Sequence, residues 1–209
     1  MNCFLCKEES ATWPTPTSFT LDVICENCGT FQITTSAKSE LEKNDEIAFY
    51  LGSWVHAQNQ IGNNSRIDSE VLKSFRTYPR PNVKKRAELY LGQAIRLQGG
   101  RLTGKVNINN PTLRVASWSF HHEDLPALAN YLVGLGAIWR QDGTDNYQLL
   151  AKAHELYDQM ANTRAASEQA FVAMWFDDEL KEAYDLGLKE AIRAAGYDPV
   201  RIDRKEHDG

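Results

Sequence analysis

Residues 171-FVAMWFDDELKEAYDLGLKEAIRAAGYDPVRID-203 predict a strand, a helix and a second strand in close succession. The segment 171–176 is a continuous apolar run, which is typical of a strand buried on both faces. Asp177 and Asp178 suit the positive end of a helix dipole, and Gly196 suits the C-terminal cap. Apolar residues between them recur at intervals of three and four, as on one helix face: Leu180, Ala183, Tyr184, Gly187, Leu188, Ala191, Ile192 and Ala195. Residues 197–203 form the predicted second strand.

This strand–helix–strand pattern predicts a right-handed βαβ crossover, the opening of a parallel sheet. A strand with two buried faces needs further strands and helices around it. The chain has six residues after Asp203. We therefore expect either that this chain is the front part of a longer protein or that a partner completes the incomplete, flavodoxin-like α/β domain.

The composition is ordinary for a soluble globular protein, with 42% hydrophobic and 24% charged residues. No apolar run approaches the roughly 18–20 residues that span a bilayer. The N-terminal sequence MNCFLCKEES has neither the basic start nor the apolar core of a secretory signal. We expect a cytoplasmic protein without membrane contact, in which cysteines serve metal or redox chemistry rather than disulfides.

Two Cys-x-x-Cys pairs near the N-terminus predict a metal site. Eighteen residues separate Cys6 from Cys25, which fits the spacing of a four-cysteine zinc site. Two residues between thiolates let both reach one ion from a tight turn, and two such turns supply a tetrahedron. The apolar residues Ile24, Phe31 and Ile33 beside the second pair predict the hairpin of a zinc ribbon. The predicted ligands of a structural Zn²⁺ ion are Cys3, Cys6, Cys25 and Cys28.

Charge is unevenly distributed along the chain. The net charge is −5, yet residues 73–114 contain ten basic residues and one acidic residue, a local charge of +9 that leaves −14 for the remainder. Such asymmetry indicates a basic face on an otherwise acidic chain. The preferred interpretation is a solvated helix face with loops, and the alternative is a face that binds nucleic acid or another anion. The candidate binding residues are Lys84, Lys85, Arg86, Arg96, Arg101 and Lys105.

The middle of the chain is predicted to be mainly helical, with short strands. The predicted helices cover about 38–60, a short segment after Asp68 or Ser69, 83–97, 122–136 and 151–164. Short strands are predicted at Val106 and Ile108, at 113–116, and as a hairpin of 137–140 and 147–150 around Asp142-Gly143. Within the helix 122–136, the residues Leu125, Leu128, Ala129, Leu132, Val133 and Leu135 are predicted to face the core.

The stretch 125-LPALANYLVGLGAIWRQDGTDNYQLLAKAHELYDQM-160 resembles the C-terminal half of winged-helix modules, with a helix, a hairpin wing and a further helix. A helix that reads the DNA major groove normally exposes Arg, Lys, Asn or Gln. Here the helix offers Glu123, Asp124 and Asn130, but no Arg or Lys. This favours protein interaction or ligand sensing over DNA reading, and nucleic-acid binding stays the alternative.

The final stretch, 171-FVAMWFDDELKEAYDLGLKEAIRAAGYDPVRIDRKEH-207, resembles the opening of bacterial TIR-like and nucleoside 2-deoxyribosyltransferase-like domains. Trp175 stands where proline is common in that family, and Leu188 where isoleucine is common. Members cleave N-glycosidic bonds in nucleosides, nucleotides or NAD, and several serve in bacterial immunity. The residues that carry the resemblance are 171–176, Tyr184, Ala191, Ile192, Gly196, Tyr197, Pro199, Arg201, Asp203 and His207.

The resemblance implies catalysis by a carboxylate, commonly Glu, which attacks the anomeric carbon or stabilises an oxocarbenium-like state. In the family this Glu lies beyond the second strand, so no catalytic residue is assigned here and the chain alone is expected to be inactive. The implied pocket edge, at the carboxyl ends of the strands, consists of Met174, Trp175, Phe176, Asp203 and His207. The alternative places Met174 and Trp175 in the core and Asp203 at a solvated strand end.

The sequence thus predicts an α+β, mainly helical chain: a zinc ribbon in 1–36, a winged-helix-like domain in 38–164, and a first βαβ unit in 168–209. The leading hypothesis is a zinc-binding sensor or interaction region of a TIR-like N-glycosidase that acts on NAD or nucleotides, in anti-phage defence. A protein partner or self-association is expected. The alternative is a non-enzymatic nucleic-acid-binding regulator or adaptor.

Overall fold

The computed structural model describes residues 2–14, 19–140, 144–165, 169–172, 178–194 and 198–201, without the side chains of 10–14, 161–165, 169, 171, 178, 179, 198 and 201. Contacts divide the chain into two units, 1–157 and 158–209. The helices are α1 Thr35–Leu41, α2 Asp45–Gln60, α3 Ser69–Phe75, α4 Val83–Leu97, α5 Pro111–Ala116, α6 Asp124–Gly134, α7 Ala151–Ala165, α8 Asp178–Ala183 and α9 Lys189–Ala194, with a π-helical segment Tyr184–Leu188 between the last two. The strands are β1 Ser10–Pro14, β2 Thr20–Cys25, β3 Gly29–Thr34, β4 Ser65–Ile67, β5 Lys105–Asn107, β6 Ile138–Arg140, β7 Asn146–Leu149, β8 Gln169–Val172 and β9 Asp198–Arg201.

The N-terminal sheet has the order β1-β2-β3-β4 and carries the second cysteine pair at its central turn. Strands β1 to β3 are antiparallel, and β4 joins β3 in parallel. Cys25 pairs with Gly29, so the predicted hairpin around this cysteine pair is confirmed. One face of the sheet packs with α1, α2 and α3 into a first core, in which Val23, Phe31, Phe49 and Ile67 are buried.

A second core of the same unit lies between α4, α6, α7 and a three-stranded sheet. This sheet has the order β5-β7-β6, and both of its strand pairs are antiparallel. The predicted hairpin is confirmed, while its turn residues Asp142 and Gly143 lie outside the described residues. Helix α4 has the predicted bounds and buries the predicted face, including Tyr90 and Leu91.

The predicted strand at 113–116 is wrong, because this segment is helix α5. The side-chain oxygen of Asn110 accepts hydrogen bonds from the backbone N–H groups of Thr112 and Leu113 at 2.9 and 3.3 Å. Pro111 then occupies the first helical turn, where its missing N–H costs nothing. The helix links the two cores, because Leu113 is buried in the second and Val115 in the first.

Two other helix predictions need correction. The predicted helix at 38–60 is broken into α1 and α2, because Asn44 is extended and caps α2 by accepting from the backbone N–H of Ile47 at 3.0 Å. In α6, Leu125 and Leu132 are buried as predicted, but Val133 and Leu135 are 38% and 46% exposed. Consecutive helical residues are separated by about 100° around the helix axis, so Val133 points away from the core that buries Leu132.

In the second unit, β8 and β9 pair in parallel, with Phe171 opposite Val200. The helical residues Asp178–Ala183, Tyr184–Leu188 and Lys189–Ala194 lie between them in the chain, so the predicted strand–helix–strand order is confirmed. The boundaries at 36–38 and 164–168 stay a prediction. Among the described residues, no helix is both long and apolar enough to cross a lipid bilayer.

Replacing Asn110 by Ala is expected to lower the free energy of unfolding by about 1 kcal/mol, because α5 loses its N-terminal cap. Urea unfolding followed by circular dichroism measures the change. Asn64→Ala, at an exposed loop position, is the matched control. Equal destabilisation by both variants would contradict the role of Asn110 as a cap.

Candidate metal centre

The four cysteines converge on one point in the first core. Each offers a sulfur, and all four sulfur atoms lie within 4.8 Å of one another. The Sγ atoms of Cys3 and Cys28 are 4.0 Å apart, and those of Cys6 and Cys25 are 3.5 Å apart. A zinc ion bonded to four sulfurs at about 2.3 Å in a tetrahedron separates them by roughly 3.8 Å. The cluster therefore has the dimensions of a four-thiolate metal site and could hold an ion such as zinc.

Each cysteine turn directs a backbone N–H at the sulfur of its first cysteine. The backbone N–H of Leu5 points at the sulfur of Cys3, and the N–H of Cys28 points at the sulfur of Cys25, both at 3.4 Å. Each turn is followed by a residue with positive φ: Lys7 at 66° and Gly29 at 91°. Such N–H···S contacts stabilise negative charge on sulfur, as metal ligation requires.

Burial and mutual contact perturb the cysteine pKa values in opposite directions. A hydrogen bond from Cys28 holds the pKa of Cys25 well below its ordinary value, whereas hydrogen bonding to Cys25 and burial raise the pKa of Cys28. Without a cation, the four cysteines therefore differ in how strongly they hold their protons, because neighbouring buried sulfurs that are all negatively charged would repel one another. A bound divalent cation removes this restriction by attracting all four thiolates.

One face of α2 packs closely against the second cysteine turn. A Cβ atom added at Gly52 would lie 3.1 Å from the sulfur of Cys28 and 3.1 Å from Cβ of Leu5. Four residues on, the Nδ1–H of His56 donates to the carbonyl of Asn27 at 2.7 Å. Burial lowers the pKa of His56, which favours the neutral ring.

Asn59 completes this face by holding the strand that leaves the turn. Its side chain accepts from the backbone N–H of Thr30 and donates to the carbonyl of Thr30, both at 3.0 Å. Sequence patterns did not assign Gly52, His56 and Asn59 to the metal centre. Their spacing of four and three on a predicted helix was the available signal.

Asn27 also connects the metal centre to α5. The hydroxyl of Thr112 donates to its side-chain oxygen at 2.7 Å, and Asn27 is 8% exposed. A polar side chain inside the cysteine turn is therefore satisfied by a helix 85 residues away in sequence. This bond joins the cysteine cluster to the helix that links the two cores.

The six predicted basic residues differ in their exposure and in their partners. Lys84, Arg96, Arg101 and Lys105 are exposed. Lys85 pairs with Glu88 at 3.1 Å, and Arg96 donates to Gln93 at 3.2 Å.

Arg86 is partly buried and pairs with Asp124 at 2.7 Å. The predicted substrate-binding residues Met174, Trp175, Phe176, Asp203 and His207 lie outside the described residues.

Comparisons of the chain with protein-family models, with curated proteins and with solved structures find no match.

The purified chain is expected to contain about one zinc ion per molecule, because four thiolates supply a complete tetrahedral shell. Chelation under reducing conditions should lower the melting temperature, and added zinc should restore it, because metal binding contributes to folding free energy. Metal analysis and thermal unfolding measure both effects. Well under one zinc per chain, or an unchanged melting temperature after complete chelation, would contradict the site.

Gly52→Ala is expected to weaken zinc affinity about tenfold, because the new methyl group displaces the sulfur of Cys28. A loss of this size is typical when a residue that positions a metal ligand is changed. Competition with a chromophoric chelator measures the affinity. Gly134→Ala is the matched control: this helical glycine has no atom within 4 Å of an added Cβ, and the variant should bind zinc as the parent chain does. Equal affinities in both variants would show that Gly52 does not shape the centre.

Proposed function

We propose that this chain is a zinc-binding interaction region in which the metal ion has a structural role. The observation that carries the proposal is the buried cluster of four sulfurs within 4.8 Å of one another. Four thiolates close the coordination shell of zinc and leave no position for a substrate. The β2–β3 hairpin at the second cysteine turn supports a zinc ribbon.

The second core supports a winged-helix-like module. Its elements follow one another as α4, β5, α5, α6, β6 and β7, and the hairpin β6–β7 takes the place of the wing. Helix α6 would be the reading helix, yet it carries no Lys or Arg. Its exposed large side chains are Tyr131 and Val133, at 41% and 38%. This surface is better suited to a protein partner, or to another copy of the chain, than to a phosphate backbone.

The topology of the second unit supports the hypothesis that it is the first βαβ unit of a TIR-like domain. Its parallel strands β8 and β9, with helical residues between them in the chain, are what the family resemblance implies. We propose that a longer chain cleaves N-glycosidic bonds of NAD or nucleotides in the cytoplasm, in anti-phage defence. This proposal is tested by measuring the release of nicotinamide or a free base by such a longer chain. Replacing the Glu that the resemblance implies beyond the second strand should abolish the release.

A second candidate is nucleic-acid binding through the exposed basic residues of 84–105. The favouring observation is that Lys84, Arg96, Arg101 and Lys105 are exposed, in a chain whose net charge is −5. Lys85 and Arg86 are less available, because each pairs with a carboxylate. This candidate predicts binding without sequence preference that weakens steeply with salt.

Fluorescence anisotropy with labelled duplex DNA and single-stranded RNA at low salt separates the two candidates. If the chain is a protein-interaction region, we expect no measurable binding of DNA or RNA, because α6 has no Lys or Arg to contact phosphates. Binding that falls with added salt, and that falls further in Arg96→Gln/Arg101→Gln, would favour the nucleic-acid candidate. Lys152→Gln, at an exposed lysine paired with Glu155, is the matched control for lost charge.

A further inference from the structure

Three aromatic rings of the first core form a floor under Arg80. We call Tyr50, Phe75 and Trp118 the aromatic floor. The guanidinium carbon of Arg80 lies 4.5 Å from the ring centroid of Tyr50, 4.7 Å from that of Phe75 and 5.8 Å from that of Trp118. The ring planes of Tyr50 and Phe75 are inclined to that of Trp118 by 24° and 26°. Both ring planes are thus only moderately inclined to that of Trp118, and the electron-rich ring faces attract the cation of Arg80.

The floor contains an unusual backbone conformation. Trp118 has a φ of 56°, in the left-handed region that bulky residues rarely adopt. Its neighbours impose this conformation: Arg86 donates to the carbonyl of Ser117 at 3.1 Å, and the N–H of Ser119 donates to the carbonyl of Arg114 at 3.0 Å. Backbone strain of this kind concentrates at ligand-binding sites, where the surrounding structure maintains it.

Arg80 lies on the floor and forms no direct ion pair with any residue that the structure describes. Burial lowers its pKa from the ordinary value, while the charges of Tyr50 and Glu46 act in the opposite direction. Pro79 and Pro81 flank it in the segment between α3 and α4, which has no regular secondary structure. Arg80 can therefore leave the floor without unwinding either helix.

We propose that the aromatic floor is a binding site for the guanidinium group of a ligand, and that Arg80 occupies this site in the free chain. The contacts of Arg80 show that a guanidinium group fits. The planar guanidinium stacks on aromatic faces. A quaternary ammonium group is nearly spherical and is better enclosed by rings on several sides. The site shares the first core with the metal centre, and its ligand is not part of the proposed function.

Methylguanidinium is the probe, titrated into the parent chain and into Arg80→Ala, with the ring-proton shifts of Tyr50 and Trp118 as readout. If Arg80 covers the floor about nine-tenths of the time, its removal should tighten binding about tenfold. Tetramethylammonium should bind more weakly than methylguanidinium to Arg80→Ala. Arg76→Ala is the matched control: this arginine pairs with Glu40 at 2.6 Å, and its loss should leave the affinity unchanged.

A second arm distinguishes the source of the guanidinium group. The acetylated, amidated peptide Tyr-Pro-Arg-Pro-Asn repeats residues 78–82. Tighter binding of this peptide than of methylguanidinium to Arg80→Ala supports an arginine side chain of a partner protein, and equal binding supports a free guanidinium compound. The same peptide with Lys in place of Arg should bind more weakly than the parent peptide.

The proposal is overturned if folded Arg80→Ala binds methylguanidinium no tighter than the parent chain does. It is also overturned if adding Tyr50→Leu to Arg80→Ala leaves the affinity unchanged. If Arg80→Ala fails to fold, Arg80→Lys replaces it under the same criterion, since it keeps a cation on the segment and removes the planar group.

Discussion

Four buried sulfur atoms held within 4.8 Å of one another are the constraint on which the first core depends. Thiolates at this separation repel one another unless a cation lies among them, so the fold near the N-terminus and the charge state of the cluster are coupled. The backbone N–H groups of Leu5 and Cys28 direct partial positive charge at two of the sulfurs. The same turns place the cysteines at the joint of sheet and helix, where Cys6 and Cys28 are fully buried.

Helix α2 transmits this constraint to the rest of the first unit. Gly52 lets the helix approach the sulfur of Cys28, while His56 and Asn59 bind the backbone on either side of it. Through Asn27, the cysteine turn also contacts Thr112 of α5. Because α5 contributes to both cores, the cluster is connected to the second core by hydrogen bonds and packing rather than by chain proximity.

Arg86 shows how a charged residue in a basic segment can have an internal role. It binds Ser117, Ser119 and Asp124, and so stabilises the turn between α5 and α6 that contains Trp118. Sequence could show its charge but not its partners, which lie 31 to 38 residues away. The same limit applies to Arg80, whose aromatic neighbours come from α2, α3 and the turn after α5.

Sequence by itself determined the features that depend on near neighbours in the chain. These are the cysteine spacing, the bounds of α4, a cap of α3 at Asp68 or Ser69, and the strand–helix–strand order of the second unit. The structure assigns that cap to Asp68. Tertiary structure decided the helical state of α5, because the tetrapeptide Leu113-Arg114-Val115-Ala116 is too short to distinguish a helix from a strand until its cap and two cores are present. It also decided which face of α2 meets the cysteines and which basic side chains are exposed. Those outcomes depend on contacts between residues far apart in sequence, whose positions only the packed chain defines.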